Sequence, residues 1–198
     1  MLDQLFTRTP ESEAAALAES RRRVATALAG DTYAYDSLDW RIATRIWFAV
    51  GAQGLVAVQM GHVDEAEFLA AQSGRLKGTL YRDDSRTADI KGQLRDYLDG
   101  KRHAFDLPID WRQMTDFQAV VLRGAQKIPA GQVLSYGELA QKIGKPKAAR
   151  AVGRALGTNP MPIVIPCHRV LASDGSLTGY IGGTEVKAHL LQLEGYVA

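Results

Sequence analysis

The segment Ile163-Val-Ile-Pro-Cys-His-Arg-Val170 holds the only cysteine of a 198-residue chain, Cys167, with His168 and Arg169 directly after it. A thiol is a nucleophile only as its thiolate, and neighbouring cations favour that form. The two basic side chains are therefore expected to lower the thiol pKa, and an imidazole can also accept the proton. A carboxylate that orients the imidazole would complete a relay. Glu194 is a candidate, because it ends the helical stretch "TEVKAHLLQLEG". An anion there faces the negative end of the helix dipole, at roughly 0.3–1 kcal/mol unless a partner compensates. Structural alternatives stand beside both readings: a lone cysteine is most often a small buried hydrophobe, and surface carboxylates are tolerated at helix ends. The apolar run "MPIVIPC" favours the reactive reading for the thiol. It reads as a strand stopped by Pro166, so Cys167 should emerge where the chain leaves the core, and reactive groups concentrate at such exits.

The elements that must position this segment are best marked from Thr115 onward. "TDFQ" at 115–118 is a capping box in which Thr115 accepts an amide hydrogen bond and Gln118 reaches back, opening a helix to about Lys127. "SYGE" at 135–138 is a second box, opening a short helix that Gly144 closes. Pro146 suits the first turn of the next helix, "KAARAVGRALG", which ends at Gly157. Two short helices joined by a tight Gly-Lys-Pro link form a helix-turn-helix pattern, which many helical hairpins that bind no DNA share. In the second helix Ala148, Ala149, Ala151, Gly153 and Ala155 leave a thin face punctuated by Arg150 and Arg154. Small residues serve close helix packing; they also let a helix press into a narrow DNA groove with arginine reaching in.

The first hundred residues name no chemistry. They read as a helix over 11–29, a hairpin with arms at 40–50 and 55–60 around Gly51–Gly54, and helices near 64–72 and 86–99, the last ending at Gly100. Trp40, Trp47 and Trp111 are expected in the core or between lobes rather than in a ligand cage. Residues 11–29 are rich in alanine and arginine, but Glu11, Glu13 and Glu19 argue against a transit peptide. Nothing reads as a signal peptide, and no run approaches the roughly 18 apolar residues of a membrane span. One cysteine allows neither an internal disulfide nor a cysteine-rich zinc site, which fits a reducing cytoplasm. The formal charge of +2 is unevenly spread. Residues 1–100 carry 12 basic against 15 acidic side chains, net −3, and 101–198 carry 12 against 7, net +5. Residues 123–169 alone hold eight basic residues and one acid, Glu138. That is either a solvated basic face or the footprint of a polyanion, most simply nucleic acid.

Taken in order and spacing, "SYGELA", "KAARAVGRALGTNP", "IPCHRV" and "GYIGG…VKAHLLQLEG" resemble the O6-alkylguanine-DNA alkyltransferases, also called methylated-DNA–protein-cysteine methyltransferases, over about residues 115–196. The resemblance implies an α/β chain: an N-terminal lobe (1–110) with a small antiparallel sheet and helices, and a mostly helical C-terminal lobe (111–198) carrying the helix-turn-helix and the site. It places the alkyl acceptor on Cys167, a water-mediated base on His168, and the carboxylate that orients it on Glu194. Tyr136 falls on the leaving-group proton donor, Asn159 on the asparagine bracing the turn, and Lys187 on a residue of the base pocket or of product protonation. Arg150 matches a finger that fills the vacated base stack. Ser135, Ala148, Ala149, Ala151 and Gly153 match DNA contacts, and Pro162, Val170, Tyr180 and Ile181 match the base pocket. Ile181 departs from members that have serine there to hydrogen-bond the guanine oxygen. The implied partner is double-stranded DNA bearing O6-alkylguanine, with O4-alkylthymine as a second substrate, contacted in the minor groove. The implied protein is a cytoplasmic monomer in solution, open to cooperative binding on DNA, with no cofactor, no metal and no membrane.

The implied reaction is an in-line displacement that leaves a thioether on the protein after one turnover. A thiol of pKa ~8.5 is about 3% ionised at pH 7, and lowering that value by ~1.5 gains little more than tenfold. Positioning and stabilisation of the departing guanine must supply the rest. Three rivals differ at the cysteine: a damage-binding relative lacks it, a helix-turn-helix regulator has no use for it, and a cysteine hydrolase needs a histidine usually remote in sequence.

Overall fold

A computed structural model of the chain describes residues 31–177 and 179–196; the helix expected over 11–29 lies outside them. Strands β1 (Thr32–Trp40), β2 (Thr44–Gly51), β3 (Gly54–Gly61) and β4 (Thr79–Arg82) form one sheet in the order β3-β2-β1-β4. The expected hairpin is β2 with β3, while the arm read as 40–50 in fact begins at the end of β1 and turns at Arg41–Ala43 before β2. The sheet is mixed rather than antiparallel, because β4 pairs parallel to β1. Helix α1 (Glu65–Leu76) is the reason: it carries the chain back across the sheet, so β4 starts from the same end as β1.

The sheet is buried on both faces. Tyr35, Trp47 and Ala57 meet Phe68 and Leu76 of α1, whereas Leu38, Ile46, Phe48 and Leu55 face a second layer. A register shift between Ala49 and Val50 puts Val56 and Ala57 on the first face and both Leu55 and Val58 on the second. That second layer begins with α2 (Asp84–Leu98). Asp83 caps it by accepting from the Ser85 and Arg86 amides, and Gly100 at φ 72° follows its end. Ile90, Leu94 and Tyr97 form its inner stripe, in one core with residues of the C-terminal half.

The C-terminal half contains α3 (Asp116–Gln126), α4 (Tyr136–Lys142), α5 (Ala149–Gly157) and α6 (Gly183–Leu193), with a short parallel pair, β5 (Leu134–Ser135) and β6 (Val170–Leu171). Ser135 and Glu138 make both bonds of their capping box. The box at Thr115 is half made: Thr115 accepts from the Gln118 amide at 3.3 Å, but the Gln118 side chain donates to Thr158 O and Oγ1 instead. It thereby ties the start of α3 to the end of α5. Pro146 precedes α5 rather than opening it, and the helix starts at Ala149. No described helix is long and apolar enough to cross a membrane.

The run Met161–Cys167 is not a strand. Ile165 N donates back to Met161 O at 2.9 Å, and Ile163 sits at φ 73°, unusual for a β-branched residue. Residues 161–171 are all buried, so Cys167 opens a 3-10 turn (Cys167–Arg169) inside the core instead of leaving it. Strand β3 anchors this turn and the inter-lobe segment along one edge: Val58 N donates to Pro160 O, Leu55 N to Pro108 O, and Asp110 N to Leu55 O. Trp47 lies in the sheet core, Trp40 meets His189 of α6, and Trp111 carries the Arg123 guanidinium at 4.2 Å.

Gly54 has φ 122°, and a Cβ there would lie 2.2 Å from Pro108 O; Gly61 has a similar φ of 118° with open space. Gly61→Ala should cost about 1–3 kcal/mol from backbone strain alone. Gly54→Ala should cost clearly more, because it also pushes the inter-lobe segment off β3. Denaturant unfolding of the two variants checks this, and equal losses would discount the close approach.

Candidate active site

Asn159 follows α5 and organises the turn. Its Oδ1 accepts from Met161 N at 3.0 Å; its Nδ2 donates to Ile165 O at 2.9 Å and to Cys167 Sγ at 3.1 Å. One buried amide thus closes the loop and points a donor at the sulfur. Lys187, buried on α6, donates to Val170 O at 2.8 Å. Behind the thiol, His168 Nε2 lies 2.9 Å from Glu194 Oε1. An ionised carboxylate only accepts, so the imidazole is assigned as the Nε2–H tautomer and Nδ1 is left as the acceptor. That Nδ1 is buried and takes no hydrogen bond from the described residues.

Arg169 does not face the thiol as its sequence position suggested. It is buried, with Nε 2.8 Å from Glu194 Oε2 and Nη2 2.8 Å from Oε1, and its remaining donors reach Ile128 O and His103 O. Tyr97 of α2 adds a hydroxyl 2.5 Å from Glu194 Oε1. Sequence reasoning missed Tyr97 altogether. Its only signal is membership of the Ile90/Leu94/Tyr97 apolar stripe, which marks packing and not a polar role. The other seven basic residues of 123–169 are exposed, so Arg169 alone is removed from the surface count.

The electrostatics correct a second expectation. Burial pushes the Cys167 thiol up to about 11, against the Asn159 hydrogen bond and the Lys187 charge, which act in the opposite direction. The cations next in sequence do not lower it: Arg169 is committed to Glu194, and burial holds His168 below its ordinary value, with the Arg169 and Lys187 charges adding to the effect. Burial alone would raise Glu194, but hydrogen bonds from His168, Arg169 and Tyr97 outweigh it and hold the carboxyl at about 2.

Around this centre, Tyr136 opens α4. Burial, then the negative charge of an ionised Cys167, raise its pKa. Tyr180 is likewise half-buried, with its hydroxyl removed from solvent and its ring edge-on to His168 at 6.3 Å, and the same two causes raise its pKa. Pro162 and Val170 are buried beside the turn, and Ser135 caps α4. Ala148, just before α5, and Ala149, Ala151 and Gly153 on it are half-buried, and a Cβ on Gly153 would lie 3.7 Å from the Tyr136 ring; Arg150 on the same helix is exposed. Ile181 is 58% exposed beyond Tyr180. The described residues contain no group of His, Cys, Asp and Glu able to hold a metal. A groove of about 450 Å³ between α3 and α4, lined by Val120, Arg123, Lys127, Lys142 and Ile143 among others, does not include Cys167.

The Glu194 carboxyl sits lower in the fold than the ordinary value of 4.5. Its stabilisation is therefore complete above pH ~4.5 and lost as pH falls to ~2, about 3 kcal/mol in all. His168, also lowered, acts in the same direction from pH ~6.5 downward. Glu194→Gln should be destabilised by ~3–5 kcal/mol at pH 7, because Arg169 loses its counter-charge. The gap to the unaltered protein should shrink towards pH 3, as read by denaturant unfolding at both pH values; a constant gap would contradict it.

Similar proteins share both the chain and the fold. The family profile described as 6-O-methylguanine DNA methyltransferase, DNA binding domain, matches residues 116–196. The inducible methylated-DNA–protein-cysteine methyltransferase of Bacillus subtilis is 40% identical over 157 residues, 79% of this chain and 85% of the relative. The constitutive enzyme of the same organism is 42% identical over 120 residues, 60% and 72% of the two chains. The crystal structure of Mycobacterium tuberculosis O6-methylguanine methyltransferase superposes with a TM-score of 0.69 at 38% identity, covering 82% of this chain and 92% of that one. The same enzyme in complex with DNA superposes at 0.67. With a shared fold, and with identity continuing beyond the cysteine-bearing half, the chain belongs to the methylated-DNA–protein-cysteine methyltransferases, transferases that move an alkyl group from DNA to a cysteine of their own.

Proposed function

We propose that the protein repairs alkylated DNA by direct reversal, with Cys167 as the acceptor and O6-alkylguanine in double-stranded DNA as the substrate. Cys167 Sγ attacks the alkyl carbon, the S–C bond forms as the C–O6 bond breaks, and the departing guanine takes up a proton. The thiol proton passes through a bridging water to His168 Nδ1, and Tyr136 donates towards the leaving base. The observation that carries this reading is the single thiol held by Asn159 Nδ2 at 3.1 Å beside the His168–Glu194 pair. A thioether does not hydrolyse under these conditions, so each molecule acts once.

The raised thiol pKa shapes the mechanism. With a value of about 11, only about one molecule in 10⁴ carries a thiolate at pH 7. The resting protein is therefore protected from adventitious electrophiles, and proton removal accompanies attack on a carbon already in line. A hydrolase reading gains no support, since the relay histidine is adjacent to the cysteine.

The reacting carbon lies within the duplex stack, so the nucleotide has to turn out, at a few kcal/mol. Arg150, exposed on the thin face of α5, suits insertion into the gap from the minor groove. The seven exposed cations of 123–169 suit phosphate contacts that orient the protein without reading sequence.

Incubation with a duplex carrying O6-methylguanine should add one methylene to the peptide containing Cys167, and Cys167→Ser should show no gain by intact mass; a gain elsewhere, or none, overturns the reading. Arg150→Ala should slow transfer from duplex DNA ~10-fold or more while leaving reaction with the free base analogue nearly unchanged. Equal losses on both substrates would remove the finger role.

A further inference from the structure

Glu194 Oε1 is a shared acceptor. It takes the Tyr97 hydroxyl at 2.5 Å, Arg169 Nη2 at 2.8 Å and His168 Nε2 at 2.9 Å, and the Tyr97 hydroxyl itself lies 3.5 Å from His168 Nε2. Tyr97 belongs to the last turn of α2, in the first half of the chain, and is fully buried with its ring 5.1 Å from Phe105. Packing alone would be served by phenylalanine, because a buried hydroxyl is unfavourable unless it is bonded. This hydroxyl bonds the one carboxylate oxygen that the imidazole also uses.

We propose that Tyr97 is a positioning residue of the transfer reaction: its hydroxyl pins Glu194 Oε1 and draws charge from it, so that His168 stays the neutral Nε2–H tautomer whose Nδ1 accepts the Cys167 proton through a bridging water. The inference rests on the alkyl-transfer reading above. The groups around His168 support it. Glu194 at the end of α6 is the group that favours imidazolium. Arg169 beside it and Lys187 on α6 oppose that charge, as does burial. A Cys167 thiolate attracts it, but forms only once the proton has moved; Tyr180 presents its ring edge. Tyr97 from α2 is thus the neutral group that can weaken the Glu194 attraction without adding a charge. Arg169 grips both carboxylate oxygens but is held from elsewhere, by Ile128 O and His103 O. The first half of the chain consequently supplies a functional group to the site as well as a core.

The test is Tyr97→Phe in the full chain, which keeps the ring and removes only the O–H. Two quantities are read: the His168 ring signals by NMR across pH without DNA, and the pH dependence of single-turnover transfer from an O6-methylguanine duplex. Without the hydroxyl, Glu194 pulls harder on the imidazolium. The His168 titration should move to higher pH, and the ascending limb of the rate profile should move with it. Transfer should then be ~3- to 10-fold slower on the acid side and converge with the unaltered protein on the alkaline side. Phe68→Leu, on the far face of the sheet, is the control that lowers stability and moves neither curve. A Tyr97→Phe protein with reduced stability but unchanged titration and unchanged profile would make Tyr97 a core residue only and overturn the proposal. So would an unaltered protein whose His168 carries its proton on Nδ1 near pH 7, a measurement that does not depend on the variant folding. Failure of the alkyl-transfer reading looks different, as no methyl gain in the unaltered protein at any pH.

Discussion

A buried carboxylate cannot stand alone, and Glu194 is almost wholly removed from water. Its charge is tolerable because three groups from two distant stretches converge on it: Tyr97 from α2, His168 and Arg169 from the turn that carries the thiol. Removing Glu194 or Arg169 alone would leave the other as an uncompensated buried charge, which typically costs several kcal/mol. The cluster therefore does two things with the same atoms. It fixes the tautomer and direction of the imidazole, and it fastens α2, the cysteine turn and the end of α6 to each other.

The thiol is governed by an opposition of comparable terms. Burial favours the protonated form, while the Asn159 donor, the Lys187 charge and the local amides favour the thiolate, and burial prevails. Such a site is quiet until a substrate excludes water and places carbon against sulfur. In a protein that reacts once per molecule, a permanently ionised cysteine would be a liability, since any stray oxidant or electrophile would consume it. The turn around it is correspondingly rigid. Asn159 bonds both limbs of the loop, and Ile163 is held at positive φ by that framework.

The sheet is remote from the chemistry yet necessary to it. Strand β3 offers its edge to the inter-lobe segment at Pro108 and to the active-site loop at Pro160. One face of the sheet buries α1, and the other, with α2, completes the core beneath α3, α4 and α5. The crossover through α1 that makes the sheet mixed is a consequence of this layering, because both faces require cover. On the outer side, small residues keep α5 thin and seat Gly153 against Tyr136, which leaves Arg150 and Arg154 as the projecting groups.

Local chemistry was enough to mark much of this in the sequence. The hairpin at Gly51–Gly54, the capping box at Ser135, the stop at Gly144 and the motif around Cys167 depend on neighbours within a few residues. So does the separation of a basic half from an acidic one. Residues whose environment comes from afar were misread or invisible. "MPIVIPC" looked like a strand because its apolar run has no helical period, whereas Asn159 and the β3 edge bend it into a turn. Arg169 and His168 looked like activating cations by adjacency, but Glu194, 25 residues on, takes the guanidinium, and burial leaves the imidazole neutral. Tyr97 lies 71 residues from His168, and nothing in its own neighbourhood distinguishes it from a core residue. Residue types and short spacings settled which atoms were available for chemistry. Their charge states and partners were settled only by folding, because both depend on the dielectric and on donors that distant segments bring to the same few ångströms.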